Sequence, residues 1–289
     1  MDGFSVSQVP PLRSPIVLLA FRGWSDTGSV TTDAVQHLAR SFDATRWLTV
    51  DPEDYYVFTE VRPAVSIDEQ GARIIKWPEN TGYWARLNES EHDLLLISGE
   101  EPNLRWRSFA TAMADAIAAA SPSLVCTLVA RPAATPHTRP VPVTGSAADP
   151  ALAERFGLGR SLYQGPTGIV GVLHDELRRR GTPLISLAAA VPHYLNTDEN
   201  PPATGALLKA LRPVLGFEPP AGTLELESQR FLERVDEASR ADDQIVNYVR
   251  SLEESYRESA PAEEPPEAPL PSADDVVRDV EDFLRGSGD

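Results

Sequence analysis

The sequence predicts a three-layer α/β sandwich built on a mostly parallel sheet. Three short, nearly continuous apolar runs carry that reading: "SPIVLLAF" (14–21), "HDLLLISG" (92–99) and "SLVCTLVA" (123–130). Runs of this length without polar alternation are the mark of strands buried on both faces. Helix-periodic stretches follow the first two across short links, and strands alternating with helices stack as helix, sheet, helix. At 289 residues the chain is long enough for one large α/β domain and a small appendage.

Taken in order, "GWSDTGSVTTDAVQHLAR" after the first strand places Val30, Ala34, Val35 and Leu38 at helical spacing, with Ser25 or Asp26 as its cap. "YYVFTEVRPAVSIDEQGARIIKWP" alternates and turns at "DEQG", which predicts a β-hairpin inserted as a flap. "NLRWRSFATAMADAIAAA" is a helix with Trp106, Phe109, Met113 and Ile117 on one face. "ADPALAERFGL" is a short helix capped by Asp149, with Pro150 at its first position. "GPTGIVGVLHDELRRRGTP" (165–183) is an amphipathic helix starting among three glycines, with Thr167 as its expected cap. "PLISLAAAVPHYL" is a strand and loop, and "NPPATGALLKALRPVLG" a helix ending near Pro213 and Gly216.

These elements predict a core over 1–216. A two-helix hairpin is expected over 217–258, where Ile245, Val249, Leu252 and Tyr256 step by four, three and four. Residues 259–289 read as an acidic Pro/Glu-rich linker, "ESAPAEEPPEAPLPSA", and a short amphipathic segment, "DDVVRDVEDFLR"; most of this stretch is too poor in apolar residues to offset its ordering entropy.

Charge narrows the partners. The net charge is -17, of which residues 1–216 carry -4 and residues 217–289 carry -13. An acidic chain of this kind is not expected to bind nucleic acid or an anionic membrane surface. No apolar run approaches a membrane span, and "MDGFSVSQVP" lacks the basic and apolar regions of a secretory signal, so the expected compartment is the cytoplasm. Cys126 is the single cysteine, and histidines 37, 92, 137, 174 and 193 have no ligand spacing. No metal and no cofactor is expected.

Four stretches could carry chemistry. Gly165, Gly168 and Gly171 precede a helix as in a phosphate loop, but Val172 and Leu173 stand where such a loop needs Lys and Ser/Thr, and the spacing is not Gly-x-Gly-x-x-Gly. Close packing fits better, though the N–H groups of a helix start suit an anion. "FRGWSDTG" (21–28) approaches the nucleophile elbow Gly-x-Ser-x-Gly, with Gly23 and Ser25 in place and Thr27 instead of the second glycine. A hydrolase built on it would draw a base from His193 or His137 and an orienting acid from Asp26 or Asp198. Glu100 and Glu101 follow a strand end, where they suit a general acid and base or a cap on the next helix. "TPHTRP" sets His137 and Arg139 in a proline-stiffened loop. The candidate ligand or partner site is therefore Gly23, Ser25, Asp26, Glu100, Glu101, His137, Arg139, Gly165, Thr167, Gly168, His193 and Tyr194, with no catalytic residue assigned.

Five stretches occur in a telling order: "LLAFRGWSDTGSVTTDAVQHL", "LLLISGEEPNLRWRSFA", "TPHTRPVPVTGSA", "YQGPTGIVGVLHDELRRRGTPLISLAAAVPHYL" and "NPPATGALLKAL". Together they resemble the proteasome assembly chaperone family, second chaperone type, in its actinobacterial branch, over about residues 14–216. The resemblance implies an α/β/α fold akin to the phosphorylase/hydrolase class, self-association as a trimer, and proteasome components as partners. The glycine-rich lid and metal-binding pair of an ATP-grasp ligase are not recognisable. Proteasome-binding members often end in hydrophobic–Tyr–any residue; "FLRGSGD" departs from that, so docking by the tail in that manner is not expected. The resulting expectation is a non-catalytic, assembly-chaperone-like protein acting through protein–protein contacts. The alternative is a small-molecule enzyme, a hydrolase or ATP-dependent ligase, with a pocket at the strand C-terminal ends.

Overall fold

The computed structural model describes residues 3–195 and 197–258, so the acidic segment 259–289 lies outside the described residues. In chain order the elements are β1 (Phe4–Val6), β2 (Ile16–Arg22), α1 (Val30–Ser41), β3 (Thr45–Val50), β4 (Ala64–Ile67), β5 (Arg73–Lys76), β6 (Asn80–Ala85), β7 (Leu94–Glu100), α2 (Trp106–Ala119), β8 (Leu124–Ala133), β9 (Val143–Ala147), α3 (Pro150–Phe156), α4 (Ile169–Arg179), β10 (Leu184–Pro192), α5 (Pro201–Ala210), α6 (Arg212–Leu215), α7 (Leu224–Arg240) and α8 (Asp243–Glu258).

Eight strands form one sheet in the order β1-β3-β6-β7-β2-β8-β10-β9. The four central strands, β7, β2, β8 and β10, run parallel. The flanking strands are antiparallel: β9 on one side, and β6, β3 and β1 on the other. Parallelism is thus confined to the centre. Loop 86–93 is short, and a tight reversal can join only antiparallel neighbours, whereas parallel strands need a crossover such as α1, α2 or α4.

The central strands are buried on both faces, as their apolar runs predict. Leu18, Leu94, Leu96, Cys126 and Leu128 pack with Val35, Leu38 and Leu207 of α1 and α5. The alternate residues Val17, Leu19, Leu95, Ile97 and Val125 pack with Phe109, Met113, Leu173 and Leu177 of α2 and α4. Those two helix layers complete the α/β/α sandwich. Helix α7 lies against α5, and α8 folds back on α7.

Several local signals read from the sequence have their physical counterpart. The "DEQG" turn joins β4 to β5 as a separate two-stranded ribbon, with the Asp68 carboxylate accepting from the N–H groups of Gln70 and Ala72. Asp149 caps α3 by accepting from Ala151 N. Gly181 follows the end of α4 with φ of 74°, and Gly216 closes α6 with φ of 83°. One anchor has no local signature: Asp93, fully buried, takes 2.8 Å and 2.6 Å hydrogen bonds from the backbone N and Nη2 of Arg13. Burial pushes that carboxyl up, and the Arg13 bonds overcome it, leaving it below the usual carboxylate range.

Candidate functional site

The C-terminal ends of β2, β7, β8 and β10 form one edge of the molecule, where open α/β sheets place their sites. The twelve predicted residues all lie on the segments at this edge but do not form one site: two groups gather around Glu101 and around His137, and Asp26, Glu100 and Gly165 are held apart from both.

The first group surrounds Glu101. Its Oε2 accepts from Trp24 N at 3.1 Å, and its Oε1 accepts from Ile169 N at 2.5 Å, while Glu101 N donates to Arg22 O at 2.8 Å. One carboxylate therefore ties together the loop after β2, the end of β7 and the first turn of α4. Two glycines make room for it. A Cβ on Gly23 would lie 2.7 Å from Oε2, and a Cβ on Gly168 would lie 2.7 Å from Oε1 and 3.1 Å from Ser25 Oγ. Gly23 also holds φ of 133°, a backbone that side chains disfavour. The helix start does take an anion, and the anion is Glu101 itself.

This corrects two expected caps. Thr167 does not cap α4: the N-cap position is Gly168, which has no side chain to offer. Glu101 caps α4, not the helix that follows it in sequence, because the chain turns at Arg105 in left-handed backbone before α2 begins. The packing half of the glycine reading holds, since Ile169, Val170, Leu173 and Leu177 are buried on α4. Gly165 sits outside this cradle, beside Tyr163, whose hydroxyl donates to Pro166 O at 2.7 Å.

The elbow residues are bonded elsewhere. Asp26 is buried, and its oxygens accept from Thr31 N at 2.6 Å, Thr31 Oγ1 at 2.7 Å and Thr32 Oγ1 at 2.5 Å, fastening the loop to α1. Burial raises its carboxyl above the ordinary value despite these bonds. Ser25 contributes its carbonyl to Ala130 N at 2.8 Å. Asp33 on α1 is raised to about 6 by burial and by the charge of Asp26. Glu100 is likewise raised by burial, against the pull of Arg22, whose Nη1 is 3.7 Å from Glu100 Oε1. Arg22 and Glu100, with Gln36, Arg40, Trp77 and Tyr83, line an open groove of about 550 Å³ between α1 and the base of the flap.

The second group gathers where the helical hairpin meets the sheet. Tyr194 Oη accepts from His137 N at 2.7 Å and lies 2.7 Å from His137 Nδ1. His137 Nε2 is 3.0 Å from Asp236 Oδ1 on α7. A carboxylate only accepts, so Nε2 carries the proton and, in the neutral ring, Tyr194 donates to Nδ1. His193 Nδ1 donates to Ala133 O at 2.9 Å by the same reasoning, which leaves Nε2 to accept from Tyr248 on α8 at 2.9 Å. Further along α8, Thr138 Oγ1 donates to Glu253 at 2.5 Å and Tyr256 to Pro140 O at 3.1 Å. Arg139 lies within this loop, with its backbone N–H bonded to Pro136 O at 3.4 Å. Sequence reasoning missed Asp236 and Tyr248. They sit on helices 99 and 55 residues from the histidines they bond, and only their position on an amphipathic hairpin could have marked them.

The hydrolase constellation is therefore not assembled: Asp26 is held by threonines, and each candidate base is held by the hairpin. Among the described residues no group of three or more His, Cys, Asp or Glu side chains could hold a metal ion. No helix among them is long and apolar enough to cross a membrane.

Fold and edge together define the class, a three-layer α/β/α protein whose strand-end segments are tied down by its own side chains. The family model described as PAC2 family matches residues 20–239. The chain belongs to the PAC2 family. A PAC2 family protein from Streptomyces avermitilis is 40% identical, with TM-score 0.75, covering 81% of this chain and 99% of that one. A proteasome-assembly chaperone homologue from Mycobacterium tuberculosis is 38% identical, with TM-score 0.72 and the same coverage. The archaeal proteasome activator PbaB from Pyrococcus furiosus shares the fold at 18% identity and TM-score 0.66, over 81% of this chain and 97% of that one. No curated protein matches the chain.

Proposed function

We propose that this protein works through protein–protein contacts as an assembly-chaperone-like factor with a proteasome-related role in the cytoplasm. The observation that carries the reading is the commitment of the edge residues to internal bonds. Glu101, Asp26, His137 and His193 each hold two or more chain segments together. The 38% identity to a proteasome-assembly chaperone homologue supports the same reading. In this proposal residues 1–216 are the core and 217–258 an extension docked on it. The protein self-associates as a trimer, with exposed Trp77 among the contacts, since aromatics are enriched at interfaces.

The test is co-purification with proteasome subunits from the protein's own cells, together with their assembly rate in its presence. Recovery of α or β subunits and faster assembly support the reading; the absence of both overturns it. Light scattering at micromolar concentration checks the trimer, and a monomer there removes that part. One observation favours an enzyme instead: Glu100, raised by burial, faces Arg22 in the open groove. Turnover of a small molecule that Glu100→Gln abolishes without loss of stability would move the assignment to that groove.

A further inference from the structure

The β4–β5 ribbon differs from the rest of the surface. It pairs only with itself, outside the main sheet. Successive strand side chains point to opposite faces, so Ile74 and Ile75 place an apolar group on each. Ile67, Ile75, Val65 and Trp77 are 66%, 55%, 51% and 48% exposed. A two-stranded hairpin with uncovered apolar faces is at best marginally stable in water, so the ribbon calls for a cover.

Its charge says what kind. Arg62, Arg73 and Lys76 are exposed, and no ion pair or side-chain hydrogen bond holds any of them among the described residues. The ribbon's acids, Asp68 and Glu69, are confined to its turn. On a chain of net charge -17 this is a cationic, apolar strip. The chain also holds its chemical complement. Residues 259–289 carry nine acidic and two basic side chains, and "DDVVRDVEDFLR" (274–285) interleaves five of the acids with five apolar residues.

We propose that residues 274–285 of this chain dock on the β4–β5 ribbon. Valine, phenylalanine and leucine side chains would cover Val65, Ile67 and Ile75, which share a face with Arg73, and Asp and Glu would meet Arg73 there and the long Arg62 and Lys76 side chains around the ribbon's free edge. Such acid–base contacts at a partly desolvated apolar surface give register as well as attraction. The reach is sufficient. The hydroxyl of Tyr256 bonds Pro140 O, which fixes the end of α8 at the C-terminal edge of the sheet. The ribbon joins the sheet at Asn80, paired with Gly99 at that same edge. Five strand spacings separate β6 from β9, roughly 24 Å at about 4.8 Å each. The 15 residues from 259 to 273 span about 45–50 Å when extended. Tethering also holds the segment at an effective concentration near the millimolar range, enough for a weak contact to form.

The lysine count makes a clean experiment. Lys76 on the ribbon and Lys209 on α5 are the only lysines, and both are exposed. Zero-length carbodiimide cross-linking of the full chain joins a lysine amine to a carboxylate in contact with it, and peptide mass spectrometry identifies the pair. The expected product joins Lys76 to acids of residues 274–282, within one chain or between two copies, at several-fold higher yield than any Lys209–tail product. The yield should fall several-fold in 0.5 M NaCl, and also in Phe283→Asp, which keeps every tail carboxylate and removes the aromatic side chain of the segment. Equal capture by Lys76 and Lys209, or a Lys76 yield indifferent to Phe283→Asp, would overturn the proposal. The first outcome is a tail that sweeps the surface at random, and the second is attraction by charge alone.

Discussion

The two groups at the strand ends use the same kinds of side chain for different ends. Around Glu101 a carboxylate joins segments that belong to the sheet itself: the loop after β2, the end of β7 and the start of α4. Around His137 and His193 the bonds reach outward, to Asp236 and Tyr248 on the hairpin. The first group is an internal tie, and its failure loosens the whole sandwich. The second docks the hairpin on the sheet, and its failure should free that element alone. The difference shows why chemistry-bearing residues at a favourable edge do not by themselves make an active site. What matters is whether their lone pairs and protons are already committed.

The largest expected effect comes from crowding the tie. Gly23→Ala combines a disfavoured φ of 133° with a Cβ 2.7 Å from Glu101 Oε2, and should cost about 3 kcal/mol in urea unfolding. Gly168→Ala, where only the overlap acts, should cost about 1–3 kcal/mol. If Gly168→Ala proves as stable as the parent, Glu101 is not held where the tie requires.

Glu101→Ala tests the same tie from the other side. It leaves Trp24 N and Ile169 N without their acceptor and should cost about 1–3 kcal/mol, with Glu101→Gln recovering part of the loss through its amide oxygen. Emptying the cradle should also uncover the anion preference of the α4 start. Inorganic phosphate should then raise the melting temperature of Glu101→Ala more than that of the parent protein, and equal shifts would mean that the carboxylate was not standing in for an anion.

Much of the sandwich was legible because its signals are local. A buried strand declares itself in "IVLLAF", a cap in Asp149 before Pro150, and a turn in "DEQG". The site was legible only as a set of residues, not as an arrangement. Glu101 as the cap of α4 joins positions 68 residues apart, and Asp236 meets His137 across 99. Periodicity and capping rules reach a few residues along the chain, whereas these bonds depend on strand order and on where the hairpin lands. The antiparallel flanks of the sheet were hidden for a related reason. Strand direction follows from the length and content of connections, and the flap between β3 and β6 disguises a return path.

A smaller effect separates the hairpin's docking face from the tie. Tyr194→Phe removes the hydroxyl that joins His137 to its own backbone N–H, and Asp236→Ala removes the partner of Nε2. Each should cost about 1 kcal/mol. Hydrogen exchange should quicken in α7 and α8 while β2, β7 and β8 keep their protection. Equal quickening in the central strands would make the hairpin part of the same cooperative unit as the core.

The smallest effect concerns charge beside the tie. Asp33 is raised to about 6, first by burial and then by Asp26 and Glu199, with Arg22 and Arg40 opposing. A carboxyl raised on folding carries a cost wherever it is ionised in the folded chain. Below its unfolded value near 3.8 it is protonated in both states, and the cost is absent. The cost grows as the pH rises from there and is complete above 6. Asp33→Asn removes the ionisable group and keeps the shape. It should therefore raise the melting temperature by about 1–3 °C at pH 8, a range reduced for the half-exposed position of the group, and leave it unchanged near pH 3.5. Glu101 differs in its partners: two N–H donors meet its carboxylate, and its replacement should destabilise. If Asp33→Asn destabilises at pH 8, Asp33 belongs with Glu101 as a structural anion, and the contrast between matched and unmatched carboxylates at this edge fails.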